Sequence, residues 1–191
     1  MRVRVESDTL SAAGRAAHEI GLGAILGGNL FGRVAMHPAL GRVTDPRERG
    51  EVMNASWRRY GIVNGLSLAT VVAGWAGARA GETRARFLTK EERNLARAKD
   101  VAVGALALTG TATAIEGVRF SRMEPKGAVP LEDGETASAE ATDAEAKAKR
   151  RLNRLGGLNL ISALALSAIN STLSQKTFRR PPARRLFARR Y

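Results

Sequence analysis

The chain contains no cysteine among its 191 residues, which excludes disulfides, thiolate metal sites, iron–sulfur clusters and cysteine nucleophiles. Histidine is almost as scarce, because only His18 and His37 are present. On one helix these two would lie about 28 Å apart, so they cannot both ligate one haem or one metal ion within a subunit. We therefore expect neither a cofactor nor a metal.

Acidic residues are also few, since 18 Asp and Glu face 31 Lys and Arg, and the net charge is +13. Such an excess suits RNA, an anionic lipid surface or an acidic protein. A nucleic-acid module interleaves its basic residues with apolar ones, whereas this chain segregates them. We therefore expect no nucleic acid partner.

Between the basic segments lie four blocks that contain no charged residue: 20–32, 60–78, 101–115 and 155–175. A soluble amphipathic helix carries a polar residue on its outer face every three or four positions, so blocks of 19 and 21 uncharged residues favour lipid. The sequence predicts an all-α integral membrane four-helix bundle. The predicted spans are about 17–38, 60–79, 101–119 and 155–175. The alternative is a soluble four-helix bundle with outer faces made of small residues.

Three helix starts carry the pattern of a capping box, in which two residues three positions apart satisfy free amides of the first turn. These are Asp45 with Glu48, Thr89 with Glu92, and Thr142 with Glu145. Because each start lies well before its charge-free block, the helices should extend beyond the bilayer. We predict helices over 46–79, 90–122 and 142–175.

Residues 1–175 thus form one predicted bundle, interrupted by an acidic stretch at 123–141 that is rich in Ala, Gly and Pro and predicts a flexible loop. Residues 176–191 form a polybasic tail with seven Lys and Arg and no acid. The positive-inside rule slightly favours both termini in the cytoplasm. The bias toward Ala, Gly and Arg suggests a bacterial cell membrane.

Several residues are candidates for contacts or chemistry. Polar groups within or near the spans could bind a ligand: Asn29, Asn64, Glu116, His18 and Glu19. Glycines at four-residue spacing could let helices pack closely: Gly23, Gly27, Gly28, Gly32, Gly61 and Gly65. Exposed arginines could contact lipid or a partner: Arg58, Arg59, Arg179, Arg180, Arg184, Arg185, Arg189 and Arg190.

The segment 21–68 contains the run GAILGGNLFGRVAMHPAL, a polar helix start and a second span with Asn64. It resembles bacterial four-span membrane families of unknown function, including the anthrone-oxygenase-like group. The shared motif is Gly27, Gly28 and the turn Pro38, Ala39 and Leu40. The resemblance covers about a quarter of the chain. The resemblance implies four spans and, more remotely, oxygenase chemistry.

Three functions follow as expectations. The first is a non-catalytic structural or accessory subunit that packs against other membrane subunits or a second copy, with basic ends on lipid headgroups or an acidic partner. The second is a binding protein or cofactor-free enzyme for a quinone-like or polyketide-like molecule held within the bundle. The third is a small channel or transporter, for which the spans offer few polar residues.

Overall fold

The computed structural model describes the backbone of residues 2–80 and 89–178, and the side chains of 13–79 and 89–175. The helices are α1 (Arg2–Phe31), α2 (His37–Leu40), α3 (Pro46–Ala80), α4 (Lys90–Ser121) and α5 (Asp143–Phe178). Within the described parts there is no strand, only an isolated bridge between Leu131 and Ala137. The predicted all-α class is confirmed, and the bounds of the last three helices lie close to those predicted.

Local chemistry explains where the helices begin. Thr89 accepts the amide of Glu92, and the Glu92 carboxylate accepts the amide of Thr89 at 2.9 Å, which completes the predicted box. Thr142 and Glu145 repeat this geometry at the start of α5. Asp45 differs from the prediction, because its carboxylate accepts the amide of Arg47 at 2.8 Å and Glu48 makes no described bond back to it.

A π-helical turn, Gly32–Met36, joins α1 to α2. Pro38 has no N–H to donate to the carbonyl of Val34, so the regular helical ladder is interrupted there. The amide of His37 bonds instead to the carbonyl of Gly32. The turn carries the chain from α1 into the one-turn helix α2 and places His37 among buried residues.

The four long helices form an antiparallel square in which each contacts the next. Gly28 of α1 lies against Tyr60 of α3, Gly110 of α4 lies against Leu68 of α3, and Asn29 of α1 bonds to Asn159 of α5. Between α4 and α5 the contact runs from Glu116 to Arg151. The main core lies midway, around Val71, Leu106, Ala163 and Leu166.

Three helices are apolar and long enough to cross a membrane: Pro46–Arg79, Lys90–Ser121 and Asp143–Gln175. The predicted first span, 17–38, is not among them, since α1 also carries Arg15, His18 and Glu19 and its regular ladder ends at Gly32. Residues 14–32, which include the second half of α1, nevertheless lie along 57–74 of α3. Large apolar side chains are exposed on every long helix, including Ile20, Ile62, Leu108 and Ile161, as expected for a surface in lipid.

The segment 123–141 is not the flexible loop that its composition predicts, and we refer to it as the cap segment. Val129 and Leu131 are fully buried in a second core with Leu40, Met53 and Phe120. A backbone hydrogen bond holds the cap segment against the start of α3, because the Leu131 amide donates to the carbonyl of Pro46 at 3.0 Å. It therefore closes the bundle end formed by α2 and the starts of α3 and α5, which we call the cap end.

Candidate functional site

A polar cluster at the end of the bundle opposite the cap involves two of the predicted ligand-binding residues. The Nδ1 atom of His18 lies 2.8 Å from the carbonyl oxygen of Val71, and because a carbonyl only accepts, Nδ1 carries the proton. Asn170 then donates to the Nε2 atom of His18 at 3.1 Å and to Glu19 at 2.9 Å. Both ring nitrogens of the buried His18 are thus occupied within the chain, and neither is left for a metal.

Beside this cluster, α3 is tied to α4 through Asp100. Its carboxylate accepts the indole N–H of Trp75 at 2.8 Å and a guanidinium N–H of Arg79 at 2.6 Å. The pair is partly buried, with about a third of each charged side chain exposed. These contacts fix the C-terminal part of α3 against the first turns of α4.

The middle layer contains Asn29, another predicted ligand-binding residue. Its amide donates to the Ile25 carbonyl at 2.8 Å and to the Asn159 side chain at 3.3 Å. Asn159 in turn donates to the Leu106 carbonyl and to the Thr109 hydroxyl, both at 3.3 Å. This chain of amides links α1, α5 and α4 and uses Asn29 as an interhelical contact.

Asn64 differs from the other candidates because its Oδ1 atom is buried without a hydrogen-bond partner in the described parts of the chain. The same is true of the Oδ1 atom of Asn170. Buried amide oxygens usually accept at least one bond, so each of these could accept a donor from a bound molecule or water. Asn29, Asn64 and Glu116 are not joined by any described bond.

A second polar cluster lies at the cap end, where the carboxylate of Glu135 is the shared partner of two basic side chains. The Nδ1 atom of His37 lies 2.7 Å from its carboxylate, and Arg33 approaches the same oxygen at 3.4 Å. Trp57 donates its indole N–H to the Nε2 atom of His37 at 3.2 Å, so Nε2 is unprotonated and Nδ1 donates to Glu135.

Lys149 is the least expected member of this cluster, because only 2% of the residue is exposed. Its ammonium donates to the carbonyl of Gly134 in the cap segment and lies 3.6 Å from the sulfur of Met53. Burial lowers the pKa of Lys149 to about 8, since desolvation outweighs the attraction of Glu135 and Asp133. The lysine precedes the charge-free block 155–175, so it lies outside the apolar part of α5.

Glu116 is buried between α4 and α5, and two arginines approach its carboxylate. Arg119 lies 3.6 Å from one oxygen and Arg151 lies 3.7 Å from the other. Both arginine side chains are about two-thirds exposed, whereas that of Glu116 is 9% exposed. The buried carboxylate of Glu116 therefore lies between two exposed arginines, and its role in ligand binding stays a prediction.

The glycines divide into two sets. Gly28 and Gly32 are contact sites, because a Cβ at either position would lie within 2.5 Å of the Tyr60 or Trp57 ring. The other four are exposed, and no atom of the described residues lies within 4 Å of an added Cβ, so their close contacts stay a prediction: Gly23, Gly27, Gly61 and Gly65. Four-residue spacing does not specify which face of the helix meets a neighbour.

The predicted basic contacts are only partly described. Arg58 and Arg59 are exposed at the cap end of α3, next to the charge-free block. The tail arginines lie outside the described residues: Arg179, Arg180, Arg184, Arg185, Arg189 and Arg190. Among the described side chains no group of three His, Asp or Glu could hold a metal ion.

No family model, no curated protein and no solved structure matches this chain. The resemblance of residues 21–68 to four-span families therefore stays a prediction.

Proposed function

We propose that the protein is a non-catalytic membrane protein that acts as a structural or accessory subunit of a membrane complex. Its location would be a bacterial cell membrane with both termini in the cytoplasm. Its basic ends would contact lipid headgroups or an acidic partner, and other subunits or a second copy would pack on its outer faces. The wide exposure of apolar side chains on all four long helices supports a position in lipid.

The observation that carries the proposal is that most of the candidate polar side chains already bond to, or pair with, other groups of the chain. His18, Glu19 and Asn29 bond to α5 or to their own helix, and Glu116 faces two arginines at the surface. An active site needs groups that are free to meet a substrate. Most of the candidate groups instead hold helices together.

The outer face of α3 supports contact with another helix. Small exposed residues recur at every fourth position of α3, and because each step turns by only about 40°, the central three share one face over about 12 Å: Gly65, Ala69 and Ala73. In lipid, helices associate where small residues let their backbones approach. We therefore assign this face to a neighbouring transmembrane helix.

The test is to extract the tagged full chain in a mild detergent and measure its mass and the proteins that accompany it. We expect an assembly larger than the monomer. Substituting Gly65→Leu with Ala69→Leu should release the partner while leaving helix content and melting temperature unchanged. Ala165→Leu with Ala168→Leu, which adds similar bulk at two exposed positions of α5, is the matched control. Recovery of the wild type as a bare monomer would contradict the proposal.

A second candidate, a binding protein for a hydrophobic molecule with a polar group, is favoured by one observation. The buried Oδ1 atoms of Asn64 and Asn170 accept no described hydrogen bond, so a ligand hydroxyl or amine could donate to either. Mass spectrometry of an organic extract of the purified protein would test it. A bound quinol-like molecule that disappears in Asn64→Leu would favour this candidate over the first.

A further inference from the structure

Arg119 and Arg151 form a pair of cations on neighbouring helices, and the pair differs in one respect from the other exposed arginines that the structure describes. Each guanidinium lies within 4 Å of the same buried carboxylate, that of Glu116. The carboxylate thus brings together two cations that would otherwise repel each other. Exposed arginine side chains lose rotamer freedom when they are held in this way, so later ligand contacts cost less entropy.

The pair retains its capacity to bind an anion. The nitrogen–oxygen distances of 3.6 and 3.7 Å are charge contacts longer than hydrogen bonds, and the described parts of the chain supply no other partner to either guanidinium. Each guanidinium has five N–H donors in a planar fork that fits phosphate oxygens. With one carboxylate for two guanidiniums, the site keeps a charge of +1.

The position of the pair along the helices indicates the source of the anion. Arg119 lies four residues beyond the end of the charge-free block of α4, and Arg151 lies four residues before that of α5. On α4, Ile115 and Leu108 are four and eleven residues from Arg119, and on α5 Leu158 is seven residues from Arg151. Such spacings place side chains on one helix face. All three are at least 49% exposed.

We propose that Arg119 and Arg151, positioned by Glu116, bind the phosphate of an anionic phospholipid at the cap end, and that the α4 and α5 faces beyond them contact its acyl chains. This inference rests on the membrane location in the proposed function, but not on any protein partner. A soluble phosphate compound would use the same guanidiniums, yet it would gain nothing from the exposed apolar faces that continue from them.

The experiment is native mass spectrometry of the purified full chain in detergent, titrated separately with phosphatidylglycerol, phosphatidylcholine and inorganic phosphate. The variants are Arg119→Gln with Arg151→Gln and, as a matched control, Arg58→Gln with Arg59→Gln. The control removes the same charge from exposed positions at the same end of the bundle, where no described acid pairs with either arginine.

We expect the wild type to retain phosphatidylglycerol more tightly than phosphatidylcholine. Each basic residue near a lipid surface contributes about 1 kcal/mol, or about fivefold, so the Arg119/Arg151 variant should bind phosphatidylglycerol about 25-fold more weakly. The Arg58/Arg59 control measures the loss that follows from removing two surface charges that no carboxylate holds together, so it should weaken binding several-fold less than the Arg119/Arg151 variant. Equal losses in the two variants would overturn the site, and displacement of the lipid by millimolar phosphate would assign it to a soluble anion instead.

The variant Glu116→Gln distinguishes the positioning of the two arginines by Glu116 from the effect of positive charge alone. It makes the chain more positive, so a diffuse basic surface would bind phosphatidylglycerol more tightly, whereas loss of the organised pair should weaken binding several-fold. Tighter binding would refute the positioning role. Because this titration uses the isolated chain, it can fail while the chain still recovers protein partners, and the reverse is also possible.

Discussion

Substituting Leu131→Ala should open the cap segment, because Leu131 is fully buried in the second core. The side chain packs with Leu40, Met53, Phe120 and Val129, all of which are themselves buried. Removing such a leucine from a packed core typically costs about 2 to 5 kcal/mol, since a cavity remains. If only the cap opens, the fraction of time it is open should rise by about 30-fold to several thousand-fold.

Hydrogen exchange followed by mass spectrometry in detergent measures this directly over residues 127–138. The amides of Leu131 and Gly134 donate to Pro46 and His37, so they should exchange slowly in the wild type and much faster in Leu131→Ala. Leu158→Ala, which removes a side chain that is 53% exposed, should leave this segment unchanged. If the wild-type segment already exchanges like an unfolded peptide, or if both variants behave alike, the packed cap is refuted.

Three further outcomes are expected. The pKa of Lys149 is about 8 in the folded state and 10.5 in the unfolded state, so between these pH values the unfolded state binds more protons. The free energy of unfolding should therefore rise by up to about 3 kcal/mol from pH 8 to pH 10.5. Thermal unfolding should show this rise, and Lys149→Met should remove most of it. Gly32→Ala should cost about 1 to 3 kcal/mol in the same assay, because the new methyl group meets Trp57, whereas Gly27→Ala should be tolerated. Asn159→Leu should weaken the bundle by about 1 kcal/mol in detergent unfolding, and no loss would show that its interhelical bonds contribute nothing.

The long helices could be predicted because their signals are local. A charge-free block and a capping pair lie within one helix, and the starts of α4 and α5 match Thr89 and Thr142 for that reason. The first span differs from the others, since Arg33 and His37 follow its charge-free block and Pro38 disrupts the ladder. Local patterns therefore located the elements but did not decide whether α1 is apolar enough to cross alone.

The cap segment could not be predicted from its own composition. It has few large apolar residues, and its burial depends on contacts far away in the chain. Gly50, for example, lets the carbonyl of Val129 approach so closely that a Cβ would lie 2.1 Å from it. Arg49 fixes the next turn through the carbonyls of Leu131 and Glu132. Such tertiary contacts leave no periodic signal within residues 123–141.

Lys149 was missed although a signal existed. The buried face of α5 follows a spacing of three and four residues through Asn159, Ala163, Leu166 and Asn170. Continued backwards, the same spacing passes through Leu152 to Lys149 and Glu145, both buried. The basic run at 147–154 hid this pattern, because a lysine among exposed arginines gives no sign of burial by its residue type alone.

The polarity of α1 has a consequence for how the bundle is assembled. An unpaired polar group in lipid costs several kcal/mol, and α1 carries His18, Glu19 and Asn29. The side-chain partners of these residues are Asn170 and Asn159, which both lie on α5, the last helix in the described part of the chain. Packing on α3 alone would leave the polar groups of α1 without these partners. The helix least able to cross a membrane alone is thus completed by a helix that is synthesised long after it, and α1 should reach its final position only after α5 has joined the bundle.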